Sequence, residues 1–183
     1  MTRNTIRLGG ASAFWGDSMM AAPQLLASKQ IDYLVFDYLA EITMSILARQ
    51  RSRDPNAGYA HDFVTATMKR CLKDIAAQKV KVISNAGGVN PRACAEAIEK
   101  LIQDQGLSLK VAYVTGDDIL PRADEFRAAT REMFTGAEMP KSLASMNAYL
   151  GARAIADALS MGADIVVTGR VVDSAVTLGP CLY

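Results

Sequence analysis

The chain has 183 residues, half of them apolar, and its 20 Lys and Arg nearly balance 19 Asp and Glu. That is one domain's length with ample material for a core, and a net charge of +1 leaves no basic stripe for nucleic acid or an anionic membrane surface. Cys71, Cys94 and Cys181 are odd in number and lack C-x-x-C spacing, which excludes a disulfide framework or a zinc site.

The first residues, Met1 to Arg7, have no apolar signal core. The first strand is expected at Thr5–Gly9, followed by the loop Gly9-Gly10-Ala11-Ser12-Ala13-Phe14-Trp15-Gly16-Asp17-Ser18. Asp17 or Ser18 can cap a helix carrying Met19, Met20, Leu25 and Leu26. A second strand is read at Asp32–Phe36, ending in Asp37, and a second helix over Ala40–Gln50. The apolar stretch Tyr33 to Ala48 is broken by Asp37 and Glu41, so it is no uninterrupted bilayer span. Arg49, Arg51 and Arg53 then read as a solvated last turn that complements the helix dipole. Val64, Met68, Cys71, Leu72 and Ile75 share one face of a third helix.

Val80–Ser84 is the third strand, followed by Asn85-Ala86-Gly87-Gly88-Val89. Asn90 is a good N-cap, Pro91 suits the first helical position, and Gly106 suits the left-handed position after that fourth helix. Leu109–Thr115 is the fourth strand, ending on Gly116-Asp117-Asp118. A fifth helix is expected near Asp124–Phe134, a loop over Thr135–Ser145, and a sixth helix from Asn147 to Met161. The fifth strand, Asp164–Thr168, leads into Gly169-Arg170-Val171-Val172-Asp173-Ser174. Only one or two helical turns remain after it. The expectation is a single α/β domain over 1–183 whose last unit is incomplete, a fragment of a longer chain, with Ile165 to Val167 uncovered.

Strands rich in Val, Ile and Leu that do not alternate with polar residues are strands covered on both faces. Alternating with helices, they make an α/β fold on a mostly parallel sheet. Ligands of such sheets bind outside the carboxyl ends of the strands, so the five polar strand ends should share one rim.

Glycines there make tight turns, and Asp, Asn or Ser cap helices, so each segment alone has a structural explanation. Together they place Asp37, Glu41, Asp117, Asp118 and Asp173 on one rim with Arg170 as the main balancing cation. Asp117, Asp118, Asp173 and Arg170 are the candidate catalytic centre. Gly10, Ser12, Trp15, Asp17, Asp37, Glu41, Asn85, Gly87, Gly88, Asn90 and Asn147 are the candidate substrate-binding residues. Such carboxylates could bind a divalent cation, with Asp117 and Asp118 as ligands. They could also exchange protons or sit with Arg170 around a substrate carboxylate.

Common catalytic patterns fail. Gly9-Gly10…Gly16 is neither G-x-G-x-x-G nor a Walker loop. Asp37 sits where a ribose-binding acid would, and Asn85-Ala86-Gly87 resembles a short-chain dehydrogenase strand end, yet no Tyr-x-x-x-Lys follows. Phe14 spoils a nucleophile elbow. His61 precedes an apolar helix face, which suits a cap or core residue better than a triad base. Trp15 could cover a ligand, but packing under the first helix is the simpler role.

The same loops carry a family likeness. Gly-Gly-Ala-Ser-Ala-Phe-Trp-Gly-Asp (9–17), Asp-Tyr-Leu-Ala-Glu-Ile-Thr-Met-Ser-Ile-Leu-Ala-Arg-Gln (37–50) and Arg-Asp-Pro-Asn-Ala-Gly-Tyr (53–59) are its first stretches. Ser-Asn-Ala-Gly-Gly-Val-Asn-Pro (84–91), Val-Thr-Gly-Asp-Asp (114–118), Asn-Ala-Tyr-Leu-Gly-Ala (147–152) and residues 162–175 complete it. In these, in order along nearly the whole chain, it resembles the N-terminal part of the acyclic terpene utilisation family, whose members continue past this length. The resemblance implies a role in branched acyclic terpenoid breakdown through acyl-CoA intermediates and leaves the reaction unassigned. The rim carboxylates suggest hydration, dehydration or lyase-type acid–base chemistry, and the sparse cysteines with no signal core or apolar span point to the cytoplasm. The resemblance assigns no catalytic residue. A CoA- or nucleotide-binding subunit without chemistry and a dinucleotide-dependent oxidoreductase are the alternatives. The expected partners are a small-molecule substrate or acyl-CoA, and a second copy or other parts of the same chain.

Overall fold

The computed structural model describes residues 5–183; the reading of the amino terminus as leaderless rests partly on residues 1–4, outside the described residues. Five strands, β1 (Leu8–Ser12), β2 (Tyr33–Phe36), β3 (Lys81–Ser84), β4 (Val111–Val114) and β5 (Ile165–Thr168), form one sheet in the order β1-β2-β3-β5-β4. Every pairing is parallel, so the five carboxyl ends do share one edge. The helices are α1 (Ala21–Ser28), α2 (Glu41–Arg53), α3 (Lys69–Gln78), α4 (Pro91–Asp104), α5 (Ala123–Arg127), α6 (Arg153–Ser160) and α7 (Ala175–Leu182). A π-helical turn, Phe63–Met68, runs straight into α3. Among the described residues no helix is long and apolar enough to cross a membrane.

The two sheet faces bury different helices. One core joins Leu26 of α1, Leu72 and Ile75 of α3 and Ile98 of α4 to the strands. The other joins Ile155 and Leu159 of α6 and Val176 of α7 to Val35, Ile83 and Val166. The anticipated third-helix stripe, Val64, Met68, Cys71, Leu72 and Ile75, is buried throughout. The Asn90 side chain caps α4 by accepting from the Ala93 amide, and Gly106 takes the left-handed conformation at φ 66°.

Four expectations shift. β1 starts at Leu8 and runs to Ser12, because Gly9 pairs with Leu34 and Gly10 with Val35; Gly10 and Ser12 are strand residues, not loop. A Cβ on Gly9 would lie 3.1 Å from Leu25 of α1, so a strand glycine here lets the helix close in. The fifth helix ends after one turn. Glu132 takes the amides of Phe134 and Thr135 with its carboxylate, a local alternative to helix bonding. Phe134 is consequently 86% exposed. The sixth helix begins only at Arg153, because Asn147 bridges to Asp118 and Leu150 to Val171 in extended conformation. Finally, Ile165, Val166 and Val167 are all fully buried. The short α6 and α7 cover Val166 on one face, and Ile165 and Val167 lie in the core of the other, where an exposed apolar patch was expected.

α2 is the exception among the helices. Its Met44, Leu47 and Ala48 pack on Leu39 and Val89 in a separate cluster, so it lies over the strand-end rim instead of on a sheet face.

Candidate functional site

In this topology the switch point lies between β3 and β5: α4, after β3, covers one face, and α7, after β5, the other. That crevice is the usual place for a ligand, but here it is filled. A Cβ on Gly87 would lie 2.5 Å from the Thr168 carbonyl oxygen and 2.7 Å from Pro91. Gly88, at φ +56°, faces Leu47 of α2, 2.4 Å from where its Cβ would stand. Both glycines are buried and serve close backbone packing. The open space lies beside them, between α2 and residues 144–150.

Arg170 is the centre of this space. It is buried to 3% exposure on the loop after β5. Its Nη1 donates to the Leu39 carbonyl at 2.9 Å and to Asp173 at 3.2 Å, and Nη2 reaches Glu41 at 3.4 Å. The guanidinium stacks 4.1 Å from the centre of the Tyr149 ring, and the Tyr149 hydroxyl donates to Glu41. Arg170 Nε is buried and meets no acceptor among the described residues. Burial works against the charge, but the Tyr149 hydroxyl, Asp173 and Glu41 outweigh it and raise the Arg170 pKa. Its carboxylate partners are side chains exposed to 79% for Glu41 and 66% for Asp173. The cation is therefore fixed from within, while its anions face water. A basin of about 260 Å³ opens here, lined by Glu41, Met44, Ser45, Asn147, Tyr149 and Arg170 among others.

Two more carboxylates stand behind the arginine. Asp37, at the end of β2, accepts from Asn85 Nδ2 at 2.7 Å, while Asn85 Oδ1 takes the Tyr38 amide at 2.6 Å. Burial pushes the Asp37 pKa up, and Asp173 adds to the rise, against the lowering pull of the Asn85 bond and Arg170. Asp117 is 3% exposed. It accepts from the Arg170 amide at 2.8 Å and from Asn147 Nδ2 at 3.0 Å. Burial raises its pKa too, against those two hydrogen bonds.

The tandem Asp117-Asp118 does not act as a pair. Asp118 turns outward, capping Leu120 and standing 3.9 Å from Arg51, because successive residues in an extended segment point to opposite sides. Among the described residues no group of three or more His, Cys, Asp or Glu is arranged to hold a metal ion. Asp37, Glu41, Asn85, Asp117, Asn147, Arg170 and Asp173 are brought together. Gly10, Ser12, Asp17, Trp15 and Asn90 are not. Asp17 ties the Ala13 amide, and Ser12 bonds the Asp37 carbonyl. Ser18 Oγ accepts from the Met20 and Ala21 amides in the turn ahead of α1, whose N-cap position is Met20 and not Asp17 or Ser18. Trp15 packs between two core clusters and donates to Asp62 at 2.5 Å. Asn90 also binds the Pro55 and Ala57 carbonyls. His61 is exposed beside Thr65.

Sequence reasoning missed Tyr149 and Arg51. Tyr149 lay inside what was read as a helix. Arg51 was read as a solvated helix end, yet its guanidinium donates to the Val89 carbonyl. The available signal was the spacing Glu41, Met44, Ser45, Ala48, Arg51, Ser52, one helical face.

Fold and site thus define a doubly wound α/β domain with a carboxylate-ringed arginine in a rim groove. The family model described as "Acyclic terpene utilisation family protein AtuA" matches residues 6–183. The chain belongs to that family. Among curated proteins and among solved structures, nothing matches.

Proposed function

We propose that this chain forms an enzyme site for a branched acyclic carboxylic acid or its CoA thioester, with acid–base chemistry of the hydratase or lyase type. The observation that carries the reading is the Arg170 guanidinium. It is buried and stacked on Tyr149, and it opens on a basin against carboxylates that water can reach. A substrate carboxylate or thioester carbonyl would dock on Arg170 and on the Asn147 amide, displacing Glu41. Met44, on the α2 wall, supplies apolar contact for a branched chain. Asp37 is the proton-transfer group of this reading: it stands at the strand end bonded to Asn85, next to Arg170, and burial raises its pKa. Asp117 orients Asn147 and the Arg170 backbone. Family membership supports the terpenoid setting. A dinucleotide-dependent reaction has less support, since the β3–β5 crevice is closed by Gly87 against Thr168.

Calorimetric titration tests this. Short branched carboxylates and their CoA thioesters should bind the wild type and lose affinity with Arg170→Gln. The Asp37→Asn variant should bind but not turn over. Parallel runs with Mg²⁺ and Mn²⁺ ask whether a cation contributes. Equal binding by wild type and Arg170→Gln would place the ligand elsewhere.

A further inference from the structure

The Arg170 basin has a neighbour. A second basin of about 280 Å³ is lined by Ala48, Arg51, Ser52, Val89, Asp118 and Leu120 among others. Ser145 and Asn147 line both. One face of α2 forms a continuous wall: Glu41, Met44 and Ser45 in the first basin, Ala48, Arg51 and Ser52 in the second. Seven residues separate Met44 from Arg51, about 10 Å along a helix axis. The middle of this wall presents the edges of Met44 and Ala48, otherwise buried, with exposed Ser45 between them. Arg51 stands at its far end, and at its near end Arg170, from the loop after β5, reaches Glu41.

Arg51 is not a freely waving surface side chain. Its guanidinium is held by the Val89 carbonyl. Its stem lies against Gly58, where a Cβ would stand 2.9 Å from Arg51 Cβ and 3.3 Å from Cδ. Gly58 also sits at φ +102°, a conformation that favours glycine, so the chain leaves room there for the arginine stem. The carboxylate paired with it, Asp118, is 3.9 Å away, with both side chains close to half exposed. An ion pair that long and that wet leaves most of the charge available. A residue that merely complemented the helix dipole would need neither the carbonyl anchor nor the glycine.

We infer that the second basin is a distal subsite in which Arg51 reads an anionic oxygen group, carboxylate or phosphate, on an elongated ligand whose apolar body lies along α2. Arg51 is then a specificity-determining residue, distinct from the groups around Arg170. The inference rests on the proposed carboxylate site at Arg170, which anchors the near end of the same ligand. The preferred ligand carries charged groups at both ends with a span matching the groove. Arg suits this role because its planar donor fork fits both oxyanions.

The test uses the whole chain and straight-chain probes. α,ω-Dicarboxylates from adipate to sebacate are titrated beside monocarboxylates of equal length, and ω-phosphonooxy carboxylates form a third arm. In the wild type, the best-matched dianion should bind about tenfold more tightly than its monoanion, the worth of one charge-assisted hydrogen bond. A larger advantage for the phosphonooxy arm identifies the distal group as phosphate; a larger one for the dicarboxylate identifies it as carboxylate. Arg51→Gln should bring the ratio of the two affinities to one. So should Ser52→Asp, which leaves Arg51 in place and sets a negative charge beside it. Arg170→Gln should weaken both ligand classes together. Equal binding of monoanion and dianion by the wild type overturns the distal subsite while leaving the Arg170 reading intact. Failure of every carboxylate to bind overturns both.

Discussion

Replacing Arg170 by Met separates a binding arginine from a structural one. Removing one partner of a buried ion pair ordinarily strands a charge and costs about 3–5 kcal/mol. Here that penalty is smaller, because Glu41 and Asp173 are mostly exposed and water can solvate them, and half-buried Asp37 loses only a minor electrostatic contribution from the cation. The Leu39 carbonyl loses its donor, which costs about 1–3 kcal/mol for a buried acceptor. Loss of the stack on Tyr149, a half-exposed ring, costs about 0.5–1 kcal/mol. Against this, the guanidinium no longer has to be held out of water, and Met fills much of the same volume. The net cost should be about 1–3 kcal/mol, a fall in melting temperature of roughly 2–10 °C for a chain this long. Urea and thermal melts measure it, and titration of a short branched carboxylate on the same samples measures the site. A folded Arg170→Met protein that no longer binds supports the argument. Loss of the fold, or unchanged binding, refutes it.

Gly87→Ala should cost about 2–3 kcal/mol, because backbone at the Thr168 carbonyl and Pro91 cannot yield to a methyl group; a variant melting like the wild type would show that β3 and β5 do not meet there. Asp37→Asn should stabilise the protein near neutral pH. The folded pKa of Asp37 is raised above its ordinary value of 3.8, so its favourable contribution is present in full below that value and is lost as pH rises through the raised one. Melts from pH 4 to 8 should show the gain of the Asn variant shrinking toward acid, and a gain that grew toward acid would contradict the burial argument. A thiol reagent should label Cys181 in the native protein but Cys71 and Cys94 only after unfolding, since both are buried and burial raises their thiol pKa values; mass spectrometry of the labelled peptides decides it.

Strand and helix identity was legible wherever burial is two-sided and local. The runs ending at Phe36, Ser84 and Thr168 are continuous apolar segments, and no other structure would bury them so fully. Asn90, Pro91 and Gly106 marked α4 because capping depends on a few neighbouring residues. The first strand was misplaced because Gly9 and Gly10 look like a turn from sequence, whereas at Gly9 the tertiary approach of α1 is what demands a small residue. Residues 128–150 were read as helices around a loop because the side-chain turn at Glu132 and the bridge from Asn147 to Asp118 are not periodic. The rim carboxylates were legible as a group, since a parallel sheet gathers its strand ends. Their division was not: Asp117 faces Arg170 and Asp118 faces Arg51, a choice made by packing across some thirty residues of chain, as in the Asp117–Asn147 bond. Tyr149 was invisible for the same reason.

The closed crevice between β3 and β5 has a consequence for how such a protein can change. With Gly87 against Thr168 and Gly88 under Leu47, the sheet and its turns tolerate little variation. The far wall of the groove is different: residues 128–150 form no strand or helix and touch the rest through isolated bridges. Insertions or exchanges in that wall would reshape ligand preference while the scaffold stays constant. The shape of the groove and the stability of the fold are thereby assigned to separate parts of the chain.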